Sequence, residues 1–215
     1  MRPLTVAVPK GRVTRSLVDL FGRAGLDASE LLADDRRLIR RSRDGQLAFL
    51  LLKPDDVPTY VEYGAADLGV CGRDVLFERR YDLLEPLDLG IGRCRMVVAG
   101  PTGQVAPAAP RVATKYVRSA TDHFAQRGIV AEIIFVQGSV ELAPLTGLAH
   151  VIVDLVETGS TLRENGLEER ETVREVSTVL VANRAQFKLR HAQVRELVAA
   201  LGACVRAASA QAFTQ

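Results

Sequence analysis

The segment VIVDLVETGSTLREN, residues 151–165, carries most of the information about the fold in this sequence. Its apolar first half predicts a buried β-strand that delivers Asp154 at its carboxyl end, and its last residues are compatible with a helix. The whole chain alternates short β-rich runs with helical patterns, which is typical of an α/β protein. Ligands of open α/β sheets bind beyond the carboxyl ends of the strands. We therefore expect Asp154 and the turn that follows it to face a binding site.

This turn, Thr-Gly-Ser-Thr, has the chemistry of a phosphate site. Gly159 allows the backbone to approach a ligand closely, so that several N–H groups can converge on phosphate oxygens at the start of a helix. The hydroxyls of Thr158, Ser160 and Thr161 are further donors. The carboxylate of Asp154 can accept hydrogen bonds from ribose hydroxyls. A phosphorylated sugar is the predicted ligand, but the spacing fits equally well a capped helix start with Asp154 in solvent.

A second carboxylate, Glu141, follows the apolar run 129–136, which predicts a long strand. Glu141 would then also lie beyond the carboxyl end of a strand. Together with Asp154 it could bind the two hydroxyls of a ribose. The alternative is that Glu141 only caps the first turn of a short helix.

Basic residues follow three predicted strands in the first part of the chain. They are Lys10 and Arg12, on either side of Gly11, then Lys53 and Arg73. Lysine supplies a point charge and arginine a planar fork, so these residues predict contacts with nucleotide phosphates, although each one alone also fits a solvated turn. Five arginines at positions 36, 37, 40, 41 and 43 are expected mostly to face solvent, with one of them reaching the site.

Composition argues against several other classes of protein. The 215 residues are 47% hydrophobic and 25% charged, and the net charge of +2 comes from interleaved signs, which disfavours a nucleic-acid-binding protein. Apolar runs fall far short of the roughly 20 residues that span a membrane. The beginning of the chain lacks a signal-peptide pattern, and three widely separated cysteines fit reduced thiols, so we expect a cytoplasmic protein. The three histidines have no partner at metal-ligand spacing, so no protein-held metal site is predicted.

The motifs taken together resemble the ATP phosphoribosyltransferase family of histidine biosynthesis. The matching segments are AVPKGR at 7–12, DVPTYVEYGAADLGVCGRDVL at 56–76, DLGIGRCR at 88–95, ATKY at 113–116 and GSVELAPLTGLAHVIVDLVETGSTLREN at 138–165. The chain departs from the family pattern at His150, where an acid is frequent, and at Arg73, where lysine is also common. Neither departure alters the Thr-Gly-Ser-Thr turn.

The resemblance implies a fold of two α/β lobes around a cleft, of the type II periplasmic-binding-protein kind. The first lobe would contain residues 1–90 and 185–215, and the second lobe, residues 91–184, would carry the phosphoribosyl pyrophosphate loop. A loop rich in proline, alanine and glycine at 102–110 is a further candidate for a lobe boundary.

The resemblance also implies the reaction, in which N1 of ATP joins C1 of phosphoribosyl pyrophosphate and pyrophosphate leaves, with Mg²⁺ bound to substrate. Thr158, Gly159, Ser160 and Thr161 would bind the 5-phosphate. Glu141 and Asp154 would bind the ribose hydroxyls and position the transition state without an enzyme nucleophile. The residues expected to bind ATP or pyrophosphate are Lys10, Gly11, Arg12, Lys53 and Arg73.

Chain length adds an expectation about partners. Only 32 residues (215 minus 183) follow Asn183, too few for the third, histidine-binding domain of the long form of the family. The resemblance is thus to the short form, which implies a regulatory subunit similar to histidyl-tRNA synthetase and a homodimer within a hetero-octamer. Two alternatives are a phosphoribosyltransferase that uses another base and a non-catalytic solute-binding protein with the same architecture.

Overall fold

The computed structural model describes residues 2–212, which form two compact units. The first unit contains the described parts of Met1–Leu76, Arg80–Gly92 and Ser177–Gln215, and the second contains Phe77–Arg79 and Arg93–Val176. Both units are α/β, each with its own sheet. Within residues 2–212 no helix is long and apolar enough to cross a membrane.

The first unit is built on a six-stranded sheet with the order β2-β3-β1-β4-β11-β5. Its strands are β1 (Leu4–Pro9), β2 (Ile39–Arg41), β3 (Leu47–Leu52), β4 (Leu68–Gly72), β5 (Leu83–Asp88) and β11 (Thr178–Asn183). Its helices are α1 (Thr14–Arg23), α2 (Val57–Glu62), α7 (Arg184–Leu189) and α8 (His191–Ala212), and α3 (Arg73–Glu78) begins in this unit. β1 runs parallel to β3 and β4, whereas β2 and β11 are antiparallel to their neighbours.

Both faces of this sheet are covered, because alternate residues of its strands enter different hydrophobic clusters. Val6 and Val8 of β1 pack with Phe21 of α1 and with α8 on one face. Ala7, which points to the other face, packs with Val57 of α2. Burial on both faces explains the nearly continuous apolar sequence of β1, β3 and β4.

The second unit is built on a five-stranded sheet with the order β10-β6-β9-β7-β8. Its strands are β6 (Cys94–Pro101), β7 (Arg111–Thr114), β8 (Glu132–Phe135), β9 (Val151–Val156) and β10 (Leu167–Val176). Its helices are α4 (Val117–Gln126), α5 (Leu142–Leu145) and α6 (Ser160–Glu164). β7, β8 and β9 are parallel, so their carboxyl ends lie at one edge. α4 packs on one face, and α5 and α6 pack on the other.

The structure divides the chain differently from the sequence-based boundaries at two places. β11, predicted to lie in the second lobe, pairs with β4 and β5 and therefore completes the first sheet. Conversely, Phe77–Arg79 belongs to the second unit. Glu78 accepts hydrogen bonds from the backbone N–H groups of Arg118 and Ser119 at the start of α4, at 2.7 and 3.1 Å.

Two further expectations in the second unit need correction. The loop 102–110 lies inside the unit and is not a boundary, because β6 before it and β7 after it belong to the same sheet. The long strand predicted over residues 129–136 is only the short edge strand β8, with Phe135 61% exposed. At an edge, apolar residues do not all become buried, so an apolar run overestimates the length of the strand.

Candidate active site

Two lysines lie at one edge of the first sheet. Lys10 follows β1 and Lys53 follows β3, and these strands are parallel with Pro9 paired to Leu52 at their ends. The backbone N–H of Lys10 donates to the carbonyl of Leu52 at 2.9 Å. Both lysine side chains are exposed. The structure thus brings together two of the predicted cations.

The turn after β1 depends on Gly11. This residue has a φ of +114°, which L side chains rarely adopt. Its carbonyl accepts the N–H of Thr14 at 3.1 Å, which leads the chain into α1. The flanking side chains of Lys10 and Arg12 are exposed. The turn therefore presents two cations beyond the end of β1.

Arg73 lies at the same edge, after β4, but carboxylates already hold its guanidinium. Its Nη1 donates to Asp88 at 3.1 Å, and its Nε donates to Glu85 at 3.4 Å, both on β5. Asp88 also accepts the hydroxyl of Ser177 at 2.7 Å. Arg73 is therefore less available to a ligand phosphate than the two lysines.

The arginines at positions 36, 37, 40, 41 and 43 have different environments. Arg40 is 5% exposed and donates to the backbone carbonyl of Glu30 and to the carboxylate of Asp35. Arg37 forms a 2.7 Å ion pair with Asp35. This run of arginines does mostly face solvent, since the other four arginines are exposed, and Arg40 is the exception, which holds the segment before β2.

Among the five arginines of the run, Arg36 lies closest, in the register of β2 with β3, to the edge of the first sheet that carries Lys10 and Lys53. β2 is antiparallel to β3, and the N–H of Leu51 donates to the carbonyl of Leu38 at 2.8 Å. β2 begins at Ile39, so Arg36 lies two residues beyond the last described contact, on the side of the strand pair where Lys53 follows β3. Its side chain is exposed.

In the second unit, Asp154 lies inside β9, two residues before the end of the strand at Val156. The sequence predicted it at the carboxyl end itself. Because side chains alternate along a strand, Asp154 shares a face with Ile152 and Val156. That face packs against α5 through Ala143 and against α6 through Leu162. Asp154 is half-buried there, so the alternative in which it simply faces solvent is not supported.

Glu141 comes directly before α5, on the same face of the sheet as Asp154. Its neighbour Val140 is buried in the cluster that contains Ile152. Within residues 2–212 its half-buried carboxylate makes no capping hydrogen bond with α5, which weakens the capping interpretation. Ser139, two residues earlier, has a φ of +48°, a conformation that serine rarely adopts and that concentrates at functional sites.

The turn between β9 and α6 has the compact form expected of a phosphate-binding loop. Gly159 has a φ of +74° and is buried, whereas Thr158, Ser160 and Thr161 are exposed. The hydroxyls of Thr158 and Ser160 lie 3.1 Å apart. Helix α6 starts at Ser160, and its N-cap residue is Gly159, which has no side chain; the hydroxyl of Thr158 accepts the backbone N–H of Ser160 at 3.4 Å.

The turn is contacted by three charged residues, Arg95, Arg163 and Glu169. The sequence analysis assigned no role to them. Arg95 donates to the carbonyl of Glu157 at 3.3 Å and pairs with Glu169. Arg163 donates to the carbonyl of Thr158 at 3.2 Å. Arg95 lies in the motif DLGIGRCR, but its connection to Glu169 depends on a strand pairing that no local pattern indicates.

Two of the three histidines have structural environments. His123 is buried and its Nε2 lies 3.1 Å from the carboxylate of Glu171, and Nδ1 of His150 accepts the N–H of Arg111 at 2.9 Å. Among residues 2–212 no three His, Cys, Asp or Glu side chains converge as a metal cage. The candidate binding residues are therefore of two kinds, each within its own unit: exposed cations at the edge of the first sheet, and the turn with its two carboxylates in the second unit.

Comparison with known proteins shows the family to which the chain belongs. The family model of ATP phosphoribosyltransferase matches residues 53–203. An ATP phosphoribosyltransferase of Sorangium cellulosum is 65% identical over 207 residues, which cover 96% of this chain and 98% of that protein. The chain belongs to the ATP phosphoribosyltransferase family. An ATP phosphoribosyltransferase of Geobacter metallireducens is 48% identical, with 92% and 96% of the two chains covered.

As an ATP phosphoribosyltransferase, the chain transfers the 5-phosphoribosyl group of phosphoribosyl pyrophosphate to N1 of ATP. The products are N1-(5-phosphoribosyl)-ATP and pyrophosphate, and the reaction is the first step of histidine biosynthesis. It is a pentosyltransferase, as the resemblance implied. Family membership decides against both a phosphoribosyltransferase for another base and a non-catalytic solute-binding protein.

Solved structures confirm the predicted fold class. The ATP phosphoribosyl transferase (HisG:HisZ) complex from Thermotoga maritima has a chain with a TM-score of 0.81 and 33% identity, covering 94% of this chain and 98% of that one. The periplasmic aliphatic sulphonate binding protein SsuA from Escherichia coli has a TM-score of 0.63 at 12% identity, covering 100% of this chain and 76% of that chain. The second likeness concerns the fold alone, which is of the type II periplasmic-binding-protein kind.

Proposed function

We propose that the transferase uses the turn 158–161 to bind the 5-phosphate of phosphoribosyl pyrophosphate. The observation that carries this proposal is the common position of the turn, Asp154 and Glu141 on one face of the second sheet. Asp154 and Glu141 accept hydrogen bonds from the ribose hydroxyls, since a carboxylate is an acceptor and a diol presents two donors. Both carboxylates thereby orient the anomeric carbon.

The cations at the edge of the first sheet bind ATP or pyrophosphate in this proposal. Lys10, Arg12 and Lys53 act together with the backbone turn at Gly11, and Arg36 joins them because of its register position. Arg73 contributes less, since Asp88 and Glu85 offset its charge. Charge-assisted hydrogen bonds from such groups are roughly twice as strong as neutral ones.

These roles suit a displacement at the anomeric carbon. The bond from C1 to the pyrophosphate oxygen breaks while N1 of the adenine forms a bond to C1, and pyrophosphate leaves with the bonding electron pair. No enzyme nucleophile is required. The residues contribute by positioning two polyanions and by stabilising the charge on the leaving group.

Mg²⁺ is the metal we propose for this reaction, bound mainly by substrate oxygens and water. Mg²⁺ commonly binds one or two carboxylates together with phosphates, which suits a site with two nearby carboxylates and no larger acidic cluster among the described residues. Asp154 and Glu141 are the oxygen donors that would meet such an ion. When bound, it neutralises charge on the pyrophosphate.

A regulatory subunit similar to histidyl-tRNA synthetase is the proposed partner, in a hetero-octamer that contains homodimers of this chain. Support comes from the related Thermotoga maritima chain, whose structure is that of a HisG:HisZ complex. We also propose a cytoplasmic location. Cys71, Cys94 and Cys204 are all free thiols, as is usual in a reducing compartment.

The test of the substrate assignment is steady-state kinetics of Asp154→Asn in the complete enzyme. We expect KM for phosphoribosyl pyrophosphate to rise about tenfold or more, because one charged hydrogen-bond acceptor of about 1.5–3 kcal/mol is lost. KM for ATP and the melting temperature should change little. Glu132→Gln is the matched control, since Glu132 is exposed at the amino end of β8, the opposite end of the parallel strands. Unchanged kinetics in Asp154→Asn would refute the assignment.

A further inference from the structure

We propose that Arg95 and Glu169 form a positioning pair that sets the conformation and local charge of the phosphate turn. The pair would thereby determine the affinity for phosphoribosyl pyrophosphate. This inference rests on the proposed function of the turn 158–161 as the 5-phosphate site. Neither residue needs to touch the substrate to have this effect.

The pair has the geometry of a strong, oriented ion pair. Nε of Arg95 donates to one carboxylate oxygen of Glu169 at 2.7 Å, and Nη2 donates to the other at 2.5 Å. Such bidentate arginine–carboxylate contacts fix orientation as well as distance. The side-chain hydrogen bond that Arg95 donates to Glu169 also raises the pKa of Arg95 above its usual value, so the guanidinium stays charged.

The partner of Arg95 indicates that this ion pair does more than join β6 to β10. β6 and β10 are antiparallel neighbours, and in their register Arg95 lies opposite Glu175, whereas Glu169 lies opposite Ala99. A pair serving only the local strand contact would use the directly opposed carboxylate. Arg95 instead pairs with Glu169, at the part of β10 that lies beside the phosphate turn.

Two hydrogen bonds and one close approach connect this pair and Arg163 to consecutive residues of the turn. Arg95 donates to the carbonyl of Glu157 at 3.3 Å, and Arg163 donates to the carbonyl of Thr158 at 3.2 Å. A Cβ at Gly159 would lie 3.0 Å from both Oε1 of Glu169 and Nη1 of Arg163. Hydrogen bonds therefore hold the backbone of the turn at Glu157 and Thr158, and the side chains of Glu169 and Arg163 leave little room for a side chain at Gly159.

Charge gives the pair a second effect. The carboxylate of Glu169 lies against Gly159, where a phosphate dianion is proposed to bind, and two like charges in this position would repel. Arg95 offsets the charge of Glu169 in the free protein. Removing Arg95 should therefore be worse for substrate binding than removing the charge of Glu169, and removing both should be better than removing Arg95 alone.

A purely structural role makes a different prediction. The side chains of Arg95 and Glu169 are 33% and 29% exposed, and ion pairs that reach solvent contribute only about 0–1 kcal/mol to stability. If the pair only joined β6 to β10, its loss would lower the melting temperature slightly and leave both substrate affinities unchanged. A positioning role changes one substrate's KM and not the other's.

The experiment is a double-mutant cycle in the complete enzyme with Arg95→Gln, Glu169→Gln and the combined variant. We expect Arg95→Gln to raise KM for phosphoribosyl pyrophosphate about tenfold, Glu169→Gln about threefold or less, and the combined variant less than Arg95→Gln alone. KM for ATP should stay within about twofold. Arg95→Lys, which keeps the charge, should recover part of the loss. Arg127→Gln is the matched control, because Arg127 also pairs with a carboxylate of β10, Glu171.

The outcomes separate this inference from the function on which it rests. If Arg95→Gln folds and leaves KM for phosphoribosyl pyrophosphate unchanged, or raises both KM values equally, the positioning role is wrong. It is also wrong if the combined variant binds phosphoribosyl pyrophosphate less well than Arg95→Gln does. Failure of Asp154→Asn to change this KM would instead refute the assignment of this face of the second sheet to phosphoribosyl pyrophosphate.

Discussion

Asp67 and Arg190, 123 positions apart, form a 2.7 Å ion pair in which the carboxylate is completely buried and the guanidinium is 9% exposed. Asp67 also accepts the backbone N–H of Thr5 at 2.8 Å. Arg190 donates further to the carbonyls of Pro3 and Arg2, at 3.0 and 2.6 Å. The pair therefore fastens the start of β1 to the start of α8.

Replacing Asp67 by alanine should cost the first unit much of its stability. Removing one partner of a buried ion pair leaves the other charge without compensation, typically at about 3–5 kcal/mol. Urea unfolding of Asp67→Ala measures this loss. Arg2→Ala is the control, because Arg2 pairs with the same carboxylate but is 61% exposed, so its removal should cost less than about 1 kcal/mol. Equal losses in the two variants would contradict this expectation.

Acid should weaken the contact between Asp27 and the β2–β3 hairpin. Hydrogen bonds from the hydroxyl of Ser29 and from the backbone N–H groups of Arg43 and Ser29 lower the pKa of Asp27 from 3.8 to about 2. A carboxyl with a lowered pKa stabilises the fold above its unfolded pKa and loses this contribution as pH falls through the folded pKa. The stability difference between the wild type and Asp27→Asn should thus be constant near pH 6, shrink below about pH 4 and largely vanish near pH 2. Urea midpoints across this range measure it, and a constant difference would contradict it.

The cations at the edge of the first sheet should differ in their effect on catalysis. Lys53→Ala removes an exposed charge and should lower kcat/KM for ATP about tenfold. Arg73→Ala should lower it less than about threefold, because Asp88 and Glu85 already offset its charge. Steady-state kinetics with Lys188→Ala, an exposed lysine on α7, as the control would test this order. A greater loss in Arg73→Ala than in Lys53→Ala would show that Arg73 exchanges its partners for substrate.

The three thiols should react at very different rates in the folded protein. Cys71 and Cys94 are buried, and burial raises the pKa of the Cys71 thiol, so the reactive thiolate is scarce there. Cys204 on α8 is half-buried. Iodoacetamide followed by mass spectrometry should label Cys204 first, and Cys204→Ser should remove the early label. Early labelling of Cys71 would indicate that β4 opens to solvent.

The sequence was sufficient for the features that depend on local chemistry. Apolar runs predicted β1, β3, β4 and β9, and the Thr-Gly-Ser-Thr turn predicted the loop at Gly159. The gathering of Lys10 and Lys53 at one edge also followed, because parallel strands end together. The roles of Lys10, Gly11, Arg12, Lys53 and Arg73 toward ATP stay predictions, as do those of the turn and its two carboxylates.

Features that depend on the pairing of distant segments could not be predicted from local sequence patterns. β10 is a charged edge strand with register shifts between Glu169 and Glu171 and between Thr172 and Arg174, which break the alternation that identifies a strand. The contact between Arg95 and Glu169 joins residues 74 positions apart. Likewise, after the second sheet the chain returns to the first sheet, where β11 lies between β4 and β5, and no local sequence pattern predicts this position.

The position of β11 in the first sheet has a consequence for the order in which the two sheets form during synthesis. The strands of the second sheet all lie between Cys94 and Val176, so this sheet can form as soon as that stretch has left the ribosome. The first sheet begins earlier but must wait for β11, without which β4 has a free edge and β5 has no strand beside it. The unit whose synthesis begins first is therefore the unit whose sheet is completed last.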